Sequence, residues 1–496
     1  MSKGFISYEN KNSVLYATHC VAKRDGKVKT NDTTYLGRVI DKERGIYKNR
    51  ERGVFTYSLD NGFGIADGYA PVLEREKLIL DFGDSFLVRE MLAKSGILDI
   101  MKELLPERGD SVLSLLFYRI LGANCASIHA HTWWEGSYTR ILYPKAKLQS
   151  QRVSELYKEI GEEQVQRKFF SGYLQLVSKT SKHGILVDST GLPNDIDFPL
   201  TALNVHNGVA SNETRLVLVV DRVSTMPLYF RYVAGNIVDV TTLKTTLAEL
   251  ARYGITVDHA IVDAGYYSEN NIRALQDAEI PFVVRLVNNR TVFTDLVDKH
   301  SADLENARYM VKYRDRIVYV KKISIDLFGH KVFAFLGLDL DSKHDQVKKY
   351  ALGVLEDGKT SSEEIDAEIA KLGLFALISS TDVDTKDILP LYYTRQAIEQ
   401  VFDVSKNYAE ILPLRIHSED ALRGHLLLSF IATALFLYTN QQLIGSKFTS
   451  ESAFLQMRNL KCKIFETDMT VNEPVKKMND IAKYLKLQIP SLLKLW

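Results

Sequence analysis

At 496 residues the chain exceeds what one hydrophobic core usually serves, so two to four structural units are expected. Its 46% hydrophobic and 25% charged residues exclude a disordered or fibrous chain and fit an ordinary globular protein. The net charge of +1 does not advertise a nucleic-acid partner, yet it is unevenly spread. Residues 1–52 hold twelve Lys/Arg against six Asp/Glu, residues 441–496 hold nine against five, and the middle is acidic. Basic ends around an acidic middle suit an enzyme that grips phosphates at its periphery and gathers carboxylates for metal, although ordinary surface variation produces the same pattern. Cys20, Cys125 and Cys462 lie far apart with no C-x-x-C pair, which argues against a zinc site or disulfide framework and fits a reducing cytoplasm. The start, MSKGFISYEN, lacks the apolar stretch of a signal peptide. The most apolar segment, 426–438, is interrupted by Ser429 and Thr433 and reads as a buried core helix, so no membrane partner is expected.

Residues 12–40 alternate in short β-like runs around the turn-forming RDGK, and a basic stretch from Lys42 to Arg52 follows, which predicts a small β-rich module. Gly62, Gly64 and Gly68 have the wrong spacing for a nucleotide loop and read as a flexible connection. From Ser85 to Val177 the pattern is helical (FLVREMLAKSGILDIMKELL, SVLSLLFYRIL, VSELYKEIG). Then GILVD, TRLVLVVD and PLYFRYV predict three strands, Asp239–Tyr253 a helix, HAIVD a strand, Glu269–Gln276 a short helix and PFVVRL a strand. This order makes an α/β sheet whose middle connection can form a parallel crossover. Residues 306–355 bring further strands (ARYMVKYR, RIVYVKKISI, KVFAFLGLDL), followed by a charged helix at Ser361–Lys371 and the strand LFALISS. The strands from about 291 to 378 read as an insertion before the final helices, which run from Ile388 into LLLSFIATALFLY.

Asp188 and Asp263 each end a strongly apolar strand, where ligands gather in open α/β sheets. Two such carboxylates can share a divalent metal; the competing reading is that each merely ends a strand or caps the next helix. A third element decides between them. Tyr392, Arg395, Glu399 and Lys406 fall at about 0°, 300°, 340° and 320° on one helix, a stripe about 21 Å long. A carboxylate flanked by cations is what a metal-bound phosphodiester requires, with Glu399 completing the metal site and Arg395 and Lys406 neutralising phosphates. A solvated charged face with i,i+3 and i,i+4 pairs is the plainer alternative, and Asp403 is the rival third carboxylate.

The run Tyr392-x2-Arg395-x3-Glu399-x6-Lys406 resembles the Y-R-E-K pattern of DDE insertion-sequence transposases of the IS-four group. DSTG at Asp188, Pro227-x7-Gly235-Asn236-x2-Asp239, IVDAGYYSENNI around Asp263, GLFALISSTD and RGHLLLSFIATALF resemble that family's further motifs, over about residues 184–440. The resemblance implies a ribonuclease H-like catalytic core interrupted by a β-rich insertion, with Asp188, Asp263 and Glu399 binding two Mg²⁺ ions (Mn²⁺ as substitute). It also implies that Tyr392, Arg395 and Lys406 contact the backbone of double-stranded transposon-end DNA. Members cut element ends and join the 3′ ends to target DNA, so a homodimer on two ends is expected. The expected division is a β-rich module over 1–84 and a helical region over 85–177, both for DNA binding. The core occupies 178–290 and 379–445, the insertion 291–378, and a helical tail suited to dimerisation 446–496. Trp133 and Trp134 read as packing residues rather than a base-stacking platform.

Overall fold

The computed structural model describes residues 4–11, 13–25, 28–49, 52–66, 78–122, 125–177, 183–194, 198–206, 209–237, 241–357, 361–409, 411–412, 414, 416–465 and 468–494. Two compact units divide the chain, one of Met1–Leu80, Lys461–Glu473 and Pro490–Trp496, the other of Asp81–Leu460 and Pro474–Ile489.

In the first unit β1 (Phe5–Lys11), β2 (Val14–Asp25), β3 (Val28–Asp41), β4 (Ile46–Asn49), β5 (Gly53–Ser58) and β6 (Gly62–Ile65) pair in sequence order. All five pairings are antiparallel, as short connections between successive strands dictate. Period-two patterning puts Ala17, Leu36, Tyr47, Phe55 and Tyr57 into one buried cluster. Gly62 and Gly64, read as a flexible connection, instead build β6; Gly68 and the turn residues Gly26 and Lys27 lie outside the described residues. β7 (Leu78–Asp81) follows.

The second unit opens with seven helices: α1 (Gly83–Lys94), α2 (Ile97–Leu104), α3 (Gly109–Leu121), α4 (Ala130–Gly136), α5 (Thr139–Leu142), α6 (Ser150–Ile160) and α7 (Glu163–Val177). Trp134 is buried and stacked on His131, and Trp133 meets the Tyr118 ring edge-on, so both pack the helical layer. The sheet then begins with β8 (His183–Pro193), β9 (Ala202–His206), β10 (Val209–Asp221) and β11 (Pro227–Ala234). It continues through α8 (Leu243–Arg252), β12 (Val257–Val262), α9 (Glu269–Asp277) and β13 (Phe282–Arg285). Asp239, the predicted start of the first crossover helix, lies outside the described residues. After α10 (Thr291–His300) come β14 (Met310–Tyr313), β15 (Arg316–Leu327), β16 (His330–Asp339), α11 (Leu340–Asp357), α12 (Ser362–Ile369) and β17 (Leu374–Ser379). The unit's main body closes with α13 (Ile388–Tyr393), α14 (Gln396–Asn407), α15 (Glu419–Gln442) and α16 (Ser450–Arg458).

The strand order is β11-β10-β8-β12-β13-β17-β16-β15-β14, with β9 on β10, so the second unit is mixed α/β, built on a ten-stranded sheet among the described residues. β8, β12 and β13 are parallel and the remaining neighbours antiparallel. Ile185, Leu186 and Val187 of β8 are all fully buried, as expected of a central strand covered on both faces. The segment expected as a separate insertion extends the same sheet, because β17 pairs with both β13 and β16.

Beyond α16, β18 (Lys461–Ile464), β19 (Asp468–Val471), α17 (Lys476–Tyr484) and β20 (Leu492–Lys494) complete the chain. The tail expected to be helical thus contributes three strands, and β20-β19-β18-β7 form a four-stranded sheet in the first unit.

α15 is long and apolar enough to cross a membrane by length and composition, but 83% of its apolar window is buried inside the fold. It is pressed against α6 through two glycines. A Cβ on Gly161 would stand 1.7 Å from the Asp420 carbonyl oxygen, and one on Gly424 would stand 1.9 Å from that of Tyr157. Beside this crossing Arg119 of α3 is almost fully buried. It donates to Ala409 O (3.3 Å), Ser429 Oγ (2.9 Å) and Tyr157 Oη (2.5 Å), and its Nη2 lies 3.1 Å from His425 Nδ1. His425 Nε2 lies 2.9 Å from the Ile411 carbonyl. These bonds tie the segment that follows α14 to three helices.

Candidate active site

The parallel pairing of β8 and β12 ends at Val187 opposite Val262. Asp188, still within β8, and Asp263, the first residue after β12, come next, so the two carboxylates stand side by side, with one guanidinium 2.7 Å from the first and 3.6 Å from the second. β8 itself does not stop at Asp188, as the apolar run suggests. It continues to Pro193, because the long β10 pairs with Ser189–Pro193 and places Leu218 opposite Asp188. Asp188 is therefore at the end of the parallel pairing and within an antiparallel one. Asp263 occupies the N-cap position of the short turn Ala264–Tyr266, but its side chain makes no capping hydrogen bond. The helix-cap reading of this carboxylate does not hold.

The predicted helix stripe spans two helices, because α13 and α14 are separated by a turn at Thr394–Arg395. Arg395 keeps helical angles (φ −55°, ψ −28°), so the register carries across the break; Tyr392, Arg395 and Lys406 reach β8 or the residue after β12, and Glu399 meets Arg395. The Tyr392 hydroxyl donates to Asp263 Oδ1 (3.1 Å). Arg395 Nη1 donates to Asp188 Oδ2 (2.7 Å), and its Nη2 lies 3.6 Å from Asp263 Oδ1 and 3.8 Å from Glu399 Oε1. Lys406 Nζ donates to Thr190 Oγ1 (2.7 Å), two residues along β8 from Asp188. The rival Asp403 accepts a bond from Asn407 on its own helix, while Glu399 is the carboxylate drawn toward Arg395.

Side-chain exposure rises from 16% at Asp188 through 37% at Asp263 to 59% at Glu399, so the three acids form a ramp from the sheet to solvent. Burial works against the charge of Arg395, but Asp263, Tyr392, Asp188 and Glu399 outweigh it and hold the guanidinium above its ordinary pKa. Burial, then the negative charge of Asp263, pushes the Tyr392 phenol up, so it stays a proton donor at any working pH. Burial lowers Lys406, with Glu213 opposing.

Three carboxylates are hard oxygen donors, the set that Mg²⁺ and Mn²⁺ prefer, so the donor chemistry fits a divalent cation. With the guanidinium among them, no group of three or more potential ligands stands close enough to hold a metal ion among the described residues.

Sequence reasoning overlooked three neighbours. Thr190 receives Lys406, and Arg215 of β10 donates to Ser189 Oγ (2.7 Å). Arg314, at the exposed turn between β14 and β15, donates to Gln396 Oε1 (2.7 Å) at the start of α14. The YRDR turn and the lone arginine in TRLVLVVD were the available signals, and neither distinguishes a site residue from a surface one.

An α/β sheet that sets acids side by side at the end of a parallel strand pair, faced by a helix with a third, defines a class of carboxylate-based enzymes. Residues 179–435 match the transposase DDE domain family, and since that stretch is over half of the chain, the chain belongs to this family and is a DDE transposase. No curated protein matches the sequence. A solved piggyBac transposase synaptic complex with hairpin DNA is similar at 12% identity and a TM-score of 0.43, over 76% of this chain and 79% of that one.

Proposed function

We propose that this transposase binds the terminal inverted repeats of an insertion sequence, cleaves the ends by metal-dependent phosphodiester hydrolysis and joins the 3′ ends to target DNA. The observation that carries the reading is the gathering of Asp188, Asp263 and Glu399 around one guanidinium, inside the family-matched stretch. The order β11-β10-β8-β12-β13, three antiparallel strands followed by two parallel ones, supports a ribonuclease H-like core.

In this reading Asp188, Asp263 and Glu399 hold two Mg²⁺ ions, or Mn²⁺ in their place. Bound divalent metal supplies Lewis-acid stabilisation for charge developing on the scissile phosphate. The chain's own groups do the rest. Tyr392 orients Asp263 by donating to its Oδ1. Arg395 and Lys406 neutralise the transposon-end backbone, and the graded exposure of the acids opens the site toward solvent, where duplex DNA can reach it. The basic β-rich module and the helical region that follows it add contacts to the ends. Two chains pair two ends, in the cytoplasm at the nucleoid.

The test is a plasmid carrying a marker between copies of the DNA that flanks the gene, incubated with protein, Mg²⁺ and a second target plasmid. Excision of the marker and its joining to the target is the expected outcome, with light scattering showing two chains per paired-end complex. Mg²⁺-dependent cutting with no joined product would replace this reading by a simple nuclease.

A further inference from the structure

Resting on the reading of Asp188, Asp263 and Glu399 as metal ligands, we propose that Arg395 is a resident cation that a divalent metal must displace, so that DNA and metal load the site together. Both oxygens of Asp188 are engaged: Oδ1 accepts the Ser189 amide (2.8 Å) and Oδ2 accepts Arg395 Nη1 (2.7 Å). Of the Asp263 oxygens, Oδ1 accepts the Tyr392 hydroxyl and lies 3.6 Å from the same guanidinium. Mg²⁺ demands oxygens at about 2.0–2.1 Å in near-octahedral array. The guanidinium stands between the two aspartates, 2.7 Å from Asp188 Oδ2 and 3.6 Å from Asp263 Oδ1, in the space an ion shared by them would need, and a divalent cation beside it meets like charge in a partly desolvated site.

The same geometry shows why Arg395 is able to leave. It stands in the turn between α13 and α14, and its long side chain can swing without either helix moving. Three carboxylates around one guanidinium leave the cluster formally short of positive charge, so the site still attracts cations after Arg395 is seated. A DNA phosphate offers the guanidinium fork two oxygens in place of those it gives up. Phosphate binding thus removes the metal's competitor, and metal binding frees Arg395 for phosphate. By linkage each raises the other's affinity by one common factor, in the range of about 5- to 150-fold for coupled sites.

Mn²⁺ titration of the DNA-free, full-length protein, read by the electron paramagnetic resonance of unbound ion, tests this directly. Arg395→Gln should bind Mn²⁺ on the order of tenfold more tightly than wild type. Adding Asp188→Asn to that variant should abolish the gain. Equal Mn²⁺ affinity in wild type and Arg395→Gln, both lost on Asp188→Asn, would overturn the displacement and leave the ligand assignment standing. No Asp188-dependent binding in either protein would overturn both. A second measurement needs no substitution. Mn²⁺ should tighten wild-type binding to a duplex of the gene's flanking DNA by a factor similar to that gained by Arg395→Gln, and unchanged DNA affinity would equally overturn the displacement.

Discussion

The Tyr392 hydroxyl reaches Asp263 Oδ1 across 3.1 Å, joining residues 129 positions apart in sequence. The bond fixes one rotamer of a half-exposed carboxylate from a buried phenol that burial and the Asp263 charge keep protonated. Tyr392→Phe keeps the ring and removes the donor. Cleavage of end-containing DNA should fall about 10- to 100-fold, as when a ligand loses its supporting partner. Stability should fall by only about 1 kcal/mol. Because the phenol is raised rather than lowered, its ionisation adds no break to the pH–rate profile near neutrality. A wild-type cleavage rate in Tyr392→Phe would reduce the bond to packing.

Asp188→Asn, Asp263→Asn and Glu399→Gln should each lower cleavage by more than about a hundredfold, the upper end of losses at supporting residues. DNA retention in gel-shift assays should be preserved. Asp403→Asn should leave cleavage near wild type, since Asp403 is engaged with Asn407 on its own helix. The reverse pattern, with Asp403 essential and Glu399 dispensable, would reassign the third acid.

Lys406 contributes a cation two residues beyond Asp188 along β8. Lys406→Ala should weaken end binding with little sequence preference and reduce the slope of log affinity against log salt by about one. An unaltered slope would return Lys406 to a structural role on Thr190.

His425 gives stability a defined pH dependence. Burial, then the Arg119 charge, depresses it to about 3, well below the ordinary histidine value. A folded-state pKa below the unfolded one means that the stabilisation is complete above about 6.5 and is lost as pH falls toward 3, at about 1.4 kcal/mol per unit. Denaturant midpoints from pH 7 to 4 should therefore fall more steeply for wild type than for His425→Asn. Parallel profiles would remove His425 from the account.

Much of this architecture is legible in the residues because apolar runs ending in an acid have few other uses. GILVD and HAIVD announce strands whose ends matter, and they supply β8 and β12. What they do not announce is that β8 runs on through STGLP, since that extension depends on pairing with a distant β10. The 3.6-residue spacing of Tyr392, Arg395, Glu399 and Lys406 identifies one face, but the break at Thr394–Arg395 carries no proline or glycine to mark it. α10 and α11 hide among strands because their sequences are mixed and charged. The tail strands KCKI, DMTV and LLK are too short to show alternation, and their pairing partner lies near residue 80. Nor does spacing disclose that Arg395 faces acids rather than solvent, which only the folded geometry supplies.

The return of β17 to the side of β13, with Val284 opposite Ile378, also sets an order of events during synthesis. Asp188 and Asp263 emerge early and can take their places as soon as β8 and β12 pair. Glu399 and Arg395 arrive only after the chain has gone out through β14–β16 and come back, and α14 then leans on an α15 that has yet to be made. Long-range closures of this kind are slow compared with local helix formation. A nascent chain therefore carries two aspartates with no third acid and no arginine between them, and a product truncated before residue 388 would remain in that condition. The cluster of three acids around one guanidinium closes only when α13 and α14 pack at the end of the β8–β12 pairing.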